Sequence, residues 1–199
     1  MTREASNIKT VYIFDADGVV IEPWGFANAL ESDHNITRAM TDDFFSREFH
    51  DCLVGEADLR TKLTPYLPNW TWQGSIDELI RLWHESEDLP RPSILLLVHE
   101  LRSSGHICCL ASNQEAERAD YIRHHMGFSQ IFDHLFFSCD LGATKPDRKF
   151  YESITSTLNC SPENITFWDD TEQHVIGACN AGWNAYLYES EESLHLPSN

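Results

Sequence analysis

The chain contains four short apolar segments, and polar residues follow each of them. The segments are residues 11–14, 107–111, 135–137 and 165–168. Continuous apolar runs of this length, rich in β-branched and aromatic residues, predict strands buried on both faces of a parallel sheet. Open α/β sheets bind ligands just beyond the carboxyl ends of their strands. The pattern therefore predicts a sheet with a polar edge that is a candidate ligand site.

The polar residues at this predicted edge are mostly carboxylates, with hydroxyl, amide and ammonium groups. In chain order they are Asp15, Asp17, Ser112, Asn113, Lys145, Asp169 and Asp170. Gly18 directly follows the first acid pair and lets the chain turn sharply. Considered one at a time, these residues are also typical of helix caps, turns and, for Lys145, an exposed surface position. Their joint occurrence near the ends of four strands predicts an active site.

Residues 22–90 show helical patterns separated by Pro and Asn, and no convincing strand. Ser75 and Glu78 have the spacing of a capping box, and Thr41 is placed to begin another helix. Helices are also predicted from Pro92 to Gly105, from about Gln114 to Met126, from about Asp147 to Leu158 and before Gly182, with a last edge strand at 185–188. We interpret 22–90 as a helical cap, and 1–21 with 91–199 as the core domain.

The order and spacing of the polar residues resemble a known superfamily. Asp15-x-Asp17-Gly-Val, Ser112-Asn113, Lys145-Pro146-Asp147 and Asp169-Asp170 are similar to the four motifs of haloacid dehalogenase-like (HAD) hydrolases. The similarity covers residues 9–21 and 100–188, and it is closest to the subfamily with a small helical cap after the first motif. That subfamily includes sugar-phosphate phosphatases and the phosphatase domain of some epoxide hydrolases. The resemblance implies a doubly wound, Rossmann-like parallel sheet, with strand 11–15 between the second and fourth strands.

The resemblance further implies a phosphatase of a small phosphorylated metabolite that acts through an aspartyl-phosphate. Asp15 would be the nucleophile, and Asp17 would protonate the leaving alcohol and later accept a proton from water. Lys145 would balance the negative charge of Asp15 and the phosphoryl group. Ser112 and Asn113, expected at a helix N-terminus, would bind phosphoryl oxygens.

A Mg²⁺ ion is the implied cofactor, because the implied ligands are all oxygens. The resemblance assigns it to Asp15, the backbone carbonyl of Asp17 and Asp170, while Asp169 would hold Lys145. One position departs from the pattern, because close relatives usually carry Asn or Asp where this chain has His174. We expect that change to loosen metal binding or to alter its pH dependence.

Several alternatives stay open. A dehalogenase of the same fold attacks carbon, but usually has no carboxylate at the position of Asp17. A phosphotransferase such as a sugar-phosphate mutase shares Asp17, so hydrolysis and transfer are not distinguished. A receiver-like phosphoacceptor or a non-catalytic phosphate-binding protein is the third alternative. Six cap residues could contact the substrate, although each also suits an ordinary core or surface position: Trp24, Phe26, Arg47, His50, Trp70 and Trp72.

Composition limits the partners and the location. A formal net charge of -18 argues against binding to nucleic acid or to anionic membranes, both of which need a basic surface. The first ten residues carry mixed charges without the apolar segment of a signal peptide. Six cysteines are scattered without C-x-x-C spacing, which favours reduced thiols and predicts a cytoplasmic protein. The oligomeric state is not predicted.

Overall fold

The computed structural model describes residues 10–194, which form a five-stranded parallel sheet covered by helices. The strands are β1 (Val11–Phe14), β2 (Ile107–Ser112), β3 (His134–Phe137), β4 (Ile165–Asp169) and β5 (Asn184–Leu187). Their order across the sheet is β3-β2-β1-β4-β5, so β1 lies between β2 and β4 and the predicted fold class is confirmed. Residues 1–9 and 195–199, which include most of the segment considered for a signal peptide, lie outside the described residues.

Alternate side chains of β1 enter two separate hydrophobic clusters, one on each face of the sheet. The helices that cover the two faces are α6 (Pro92–Ser103), α7 (Ala116–Asp120), α8 (Phe128–Ile131), α9 (Ser138–Leu141), α10 (Arg148–Leu158) and α11 (Glu172–Asn180). Tyr12 and Phe14 belong to the cluster that α6, α7 and α8 cover, whereas Val11 and Ile13 belong to the cluster under α10 and α11. Burial on both faces explains why β1 is apolar at every position.

The segment between β1 and β2 is helical, as its sequence predicts. It contains α1 (Gly25–His34), α2 (Arg38–Asp43), α3 (Phe49–Leu53), α4 (Leu59–Leu63) and α5 (Ile76–Ser86), with a π-helical turn at Phe44–Glu48. These helices bury a hydrophobic cluster of their own, in which Trp70 is fully buried. A separate cluster supports the predicted division into a cap and a core, which stays a prediction. Within residues 10–194 no helix is long and apolar enough to cross a membrane.

One predicted helix start is wrong, one is two residues early, and one is confirmed. Thr41 does not begin a helix: it lies inside α2, where its Oγ1 donates a hydrogen bond of 3.0 Å to the Arg38 carbonyl. The helix after β2 begins at Ala116 rather than Gln114, because the carboxylate of Glu115 caps it by accepting two backbone N–H groups. The capping box of Ser75 and Glu78 at the start of α5 is present.

A buried arginine joins the end of α5 to α7. The side chain of Arg118 is 1% exposed, and its guanidinium donates hydrogen bonds to the carbonyls of Glu87, at 2.8 Å, and His84, at 3.3 Å. Burial and the nearby Arg118 charge lower the pKa of His84 to about 4, so the imidazole is neutral at pH 7. Arg118 therefore ties the last cap helix to the core.

We expect Arg118→Met to lower the free energy of unfolding by about 2–3 kcal/mol, because it leaves buried carbonyls without donors. Arg148→Met is the matched control, since Arg148 is 75% exposed and pairs with Glu152 on the surface. That pair contributes less than about 1 kcal/mol. Urea unfolding of both variants tests the expectation, and equal losses of stability would contradict it.

Candidate active site

A cavity of about 490 Å³ lies between the carboxyl edge of the sheet and the cap helices. On the core side it is lined by Asp15, Asp17, Ser112, Asn113, Gln114, Lys145, Asp170, Thr171 and His174. The structure thus brings six of the predicted site residues to one cavity, while Asp169 is fully buried at the end of β4. Their chemical roles stay predictions.

One buried ammonium group lies between two buried carboxylates. The Nζ atom of Lys145 is 2.8 Å from Oδ1 of Asp15 and 2.6 Å from Oδ2 of Asp169. Burial, together with the Asp169 charge, raises the pKa of Asp15 well above its usual range, although Lys145 opposes this. Burial acts in the same direction on Asp169, but Lys145 and His174 outweigh it and hold the Asp169 pKa well below its usual range. Lys145 therefore joins two carboxylates whose pKa values shift in opposite directions.

Asp17 is held by an amide that the sequence analysis did not single out. Nε2 of Gln114 donates to Oδ2 of Asp17 at 2.5 Å and to Oγ of Ser112 at 3.1 Å. The Gln114 backbone is fixed in turn, because its N–H donates to Ser138 Oγ and its carbonyl accepts from the same hydroxyl. The position of Gln114 directly after Ser112-Asn113 was the one indication in the sequence that it could belong to the site. Its burial depends on contacts with the residue that follows β3, and these cannot be deduced from local sequence.

Asn113 holds the loop that carries Lys145. Its side-chain Oδ1 accepts the backbone N–H of Lys145 at 2.8 Å, and its Nδ2 donates to the Lys145 carbonyl at 3.0 Å. With both amide atoms used in this way, the geometry favours a structural role for the Asn113 side chain over the expected contact with phosphoryl oxygens. Ser112 and Asn113 also lie ahead of α7 rather than at its N-terminus.

The carboxylate of Asp170 lies against the loop that follows Asp17. Gly18 has a φ of +87°, and a Cβ atom at this position would be 2.0 Å from Oδ2 of Asp170. Gly18 is therefore needed both for the backbone conformation and for the close approach of the carboxylate. Burial, reinforced by the Asp169 charge, raises the pKa of Asp170 above its usual range.

The residues present fit a hard divalent cation. Asp15 and Asp169 share Lys145, and within residues 10–194 Asp17 and Asp170 form no ion pair, which leaves negative charge to be balanced. Asp15, Asp169 and His174 have ligand atoms within 4.8 Å of one another, but Nδ1 of His174 is 3.0 Å from Asp169, which already binds Lys145. A cation there would compete with the ammonium. The oxygens of Asp15 and Asp170 at the cavity, with nearby backbone carbonyls, are a better donor set for Mg²⁺.

The cap contributes a different kind of surface to the cavity. Of the six cap candidates only Trp24 and Phe26 line it, together with residues that were not proposed: Glu22, Pro23, Ala27, Leu30, Arg38, Thr41, Asp42, Phe45, Phe49, Trp83 and Glu87. Trp70 is in the cap interior, Arg47 pairs with Asp43 on the surface, and Trp72 lines a separate groove; His50 is exposed and does not line the cavity.

The family model described as haloacid dehalogenase-like hydrolase matches residues 9–182. That span holds the whole cap and the four strands that carry the predicted site residues. The chain therefore belongs to the haloacid dehalogenase-like hydrolase family.

Individual relatives agree with this assignment. The chain is 30% identical over 114 residues to Phosphatase MT3486 of Mycobacterium tuberculosis (strain CDC 1551 / Oshkosh), an alignment that covers 57% of this chain and 52% of that protein. It is 29% identical over 123 residues to Bifunctional epoxide hydrolase 2 of Rattus norvegicus, covering 60% of this chain and 22% of the relative. The matched region thus spans about half of the first relative and about a fifth of the second.

A solved structure shares the fold along nearly the whole chain. It is a HAD family enzyme from Bacteroides thetaiotaomicron in complex with magnesium and inorganic phosphate, with a TM-score of 0.75 and 16% identity. The match covers 96% of this chain and 98% of that one. At this identity the similarity supports the fold alone.

We expect Gly18→Ala to destabilise the protein by about 1–3 kcal/mol more than Gly105→Ala. Both glycines have positive φ, at +87° and +90°, but a Cβ at Gly105 would meet nothing within 4 Å. The difference in the free energy of unfolding therefore isolates the clash with Asp170. Adding Asp170→Ala to Gly18→Ala should recover part of that loss, and equal values for the two single variants would show that no clash exists.

Proposed function

We propose that the protein is a Mg²⁺-dependent phosphatase that hydrolyses a phosphate monoester through an aspartyl-phosphate on Asp15. The observation that carries this proposal is the pair of carboxylates in one cavity, Asp15 bound to Lys145 and Asp17 bound to the neutral amide of Gln114. The two acids thus have different partners, as a nucleophile and a proton donor require. The phosphatase activity named for the mycobacterial relative supports the same conclusion.

Asp15 is oriented for attack on phosphorus. Its Oδ1 accepts hydrogen bonds from its neighbour Ala16, at 2.7 Å, and from Lys145. Within residues 10–194 no hydrogen bond reaches Oδ2, which we assign as the attacking oxygen. As the Oδ2–P bond forms, the bond from phosphorus to the ester oxygen breaks. Lys145 offsets part of the negative charge on the transferring group.

Asp17 moves the proton in both halves of the reaction. It donates a proton to the departing ester oxygen, which leaves as the neutral alcohol. It then accepts a proton from the water that attacks the aspartyl-phosphate, and the bond between Asp15 and phosphorus breaks to release inorganic phosphate. Gln114 holds the Asp17 carboxylate at the cavity throughout.

Asp15, the backbone carbonyl of Asp17 and Asp170 would hold the metal. A bound Mg²⁺ supplies charge neutralisation for the phosphoryl oxygens and favours the ionised form of Asp15. The excess of carboxylates over lysine supports this assignment, as does the contact of Asp170 with Gly18. The expected effect of His174 on metal binding stays a prediction.

The alternatives differ in their leaving group and acceptor. A halide leaves without a proton, so the amide-bound Asp17 favours an oxygen leaving group over dehalogenation. A mutase would return the phosphoryl group to a second hydroxyl instead of releasing phosphate, and a receiver-like protein would not turn over. The small phosphorylated substrate, the absence of nucleic-acid and membrane partners and the cytoplasmic location stay predictions.

Metal removal is the first test. EDTA should abolish the release of phosphate from an aryl phosphate, and Mg²⁺ should restore it. Asp170→Asn should raise the Mg²⁺ concentration for half-maximal activity by at least about tenfold, because it removes a charged ligand. Glu152→Gln, a loss of one exposed acid far from the cavity, is the control and should leave the Mg²⁺ dependence unchanged. Full activity of a metal-free preparation would refute the proposal.

The second test separates the two carboxylates by intact-mass measurement after mixing with an aryl phosphate. This substrate has a leaving group that needs little protonation. Asp17→Asn should therefore still gain one phosphoryl group, yet hydrolyse it slowly, because no base remains to activate water. Asp15→Asn should gain none. Peptide mapping should place the group at residue 15, and a phosphoryl group on Ser112, Asp169 or Asp170 would overturn the assignment.

A further inference from the structure

The cap side of the cavity is an aromatic wall, which we define as Phe26, Phe45, Phe49 and Trp83. Trp83 is at its centre. The Phe26 ring stacks on it with centroids 4.6 Å apart and planes at 4°, while the centroids of Phe45 and Phe49 are 5.7 and 5.6 Å from it. Leu30, also on the lining, is 2% exposed. Side chains locked together in this way form a fixed apolar surface opposite the carboxylates.

Two polar groups beside the aromatic wall already have hydrogen-bond partners. Oγ1 of Thr41 donates to the Arg38 carbonyl, and Nε1 of Trp83 donates to the Glu87 carboxylate at 2.9 Å. The Arg38 guanidinium lies 4.1 Å from the ring centroid of the exposed Trp24. A substrate hydroxyl pressed against this wall would give up water without gaining an equivalent partner, which is unfavourable.

The two remaining polar residues on the cap side do not change this. Glu22 and Asp42 are both exposed, so their carboxylates are solvated, and both are acidic. Because they repel the phosphate they do not form a second phosphoryl site. The cavity therefore has a charged half at the sheet edge and an apolar half formed by the aromatic wall and Leu30, while Glu22, Arg38 and Asp42 of the cap are exposed to solvent.

We infer that the leaving group of the substrate is an apolar alcohol, so that the protein takes the monophosphate ester of a hydrocarbon-chain alcohol rather than a sugar phosphate. This inference rests on the proposed phosphatase function, because it places the phosphoryl group on the carboxylate side. A volume of about 490 Å³ is within the range of small-ligand cavities, roughly 300–1,000 Å³. The inference narrows the expected substrate from small phosphorylated metabolites in general to esters of apolar alcohols. It disfavours the sugar phosphates that are substrates in part of the subfamily that this sequence resembles.

The chain-length dependence of turnover tests the inference. Each methylene that enters the apolar half should raise kcat/KM about fourfold, from the transfer free energy of a CH₂ group. A series of n-alkyl monophosphates from ethyl to decyl, assayed with Mg²⁺ below micellar concentrations, should therefore rise steeply until the cavity is filled. Glucose 6-phosphate should be hydrolysed no better than ethyl phosphate. A flat series, or a preference for glucose 6-phosphate over octyl phosphate, would overturn the inference.

A matched pair of variants on α1 tests whether the dependence of turnover on chain length arises in the cavity. Ala27 lines the cavity and Ala29, two residues along the same helix, does not. Ala27→Asn should lower the ratio of octyl to ethyl phosphate turnover by about tenfold, because it introduces a polar group without a partner into the apolar half. Ala29→Asn should leave that ratio unchanged. Cooperative thermal unfolding of both variants, followed by circular dichroism, shows that they fold, and equal ratios would count against the inference.

A binding measurement distinguishes failure of this inference from failure of the proposed function. Non-hydrolysable n-alkyl phosphonates can be titrated calorimetrically in the presence of Mg²⁺. If no ester is hydrolysed but affinity for the phosphonates grows with chain length, the phosphatase proposal fails and the apolar site stands. If esters are hydrolysed but neither kcat/KM nor affinity depends on chain length, the phosphatase proposal stands and the inference fails.

Discussion

The site depends on one lysine shared by two buried carboxylates. In the β1–β4 register Phe14 pairs with Trp168, so the next residues along the two parallel strands, Asp15 and Asp169, both emerge at the sheet edge. Two carboxylates this close and this buried would repel each other strongly without a cation between them. Lys145 supplies that cation, so the loop before α10 must reach back to the strand ends. Asn113 fixes this loop, because its side-chain amide accepts the backbone N–H of Lys145 and donates to the Lys145 carbonyl.

Lys145 balances only part of the negative charge of the carboxylates at the sheet edge, so the site favours an additional cation. The whole chain is strongly acidic, at -18, so nothing in its overall charge attracts a phosphate dianion. Attraction has to be local, and the single lysine is already engaged with Asp15 and Asp169. A metal beside Asp170 would make the sheet edge attractive to the phosphoryl group without disturbing the Lys145 pairs. The aromatic wall carries no charge and cannot add to this attraction, which is consistent with its proposed contact with the leaving group.

The sequence predicts the strands and their polar ends well, because an apolar run and the acid that follows it are local features. The central position of β1 came from the family resemblance and is confirmed. Gln114 could not be identified, because its burial and its contact with Asp17 depend on Ser138, far away in sequence. Helical periodicity marks Phe45 and Phe49 as apolar positions. It cannot show that they face a cavity, since that depends on how the cap packs over the sheet.

The position of the cap relative to the sheet links selectivity to chemistry. Arg118 is on α7, which follows the strand and loop that carry Ser112 and Gln114, and it binds the carbonyls of His84 and Glu87 at the end of α5. Trp83, the centre of the aromatic wall, directly precedes that segment. A shift of α7 would therefore move the wall together with Gln114, the residue that holds Asp17. The buried arginine thus fixes the position of the aromatic wall relative to Gln114 and Asp17, the proposed proton donor.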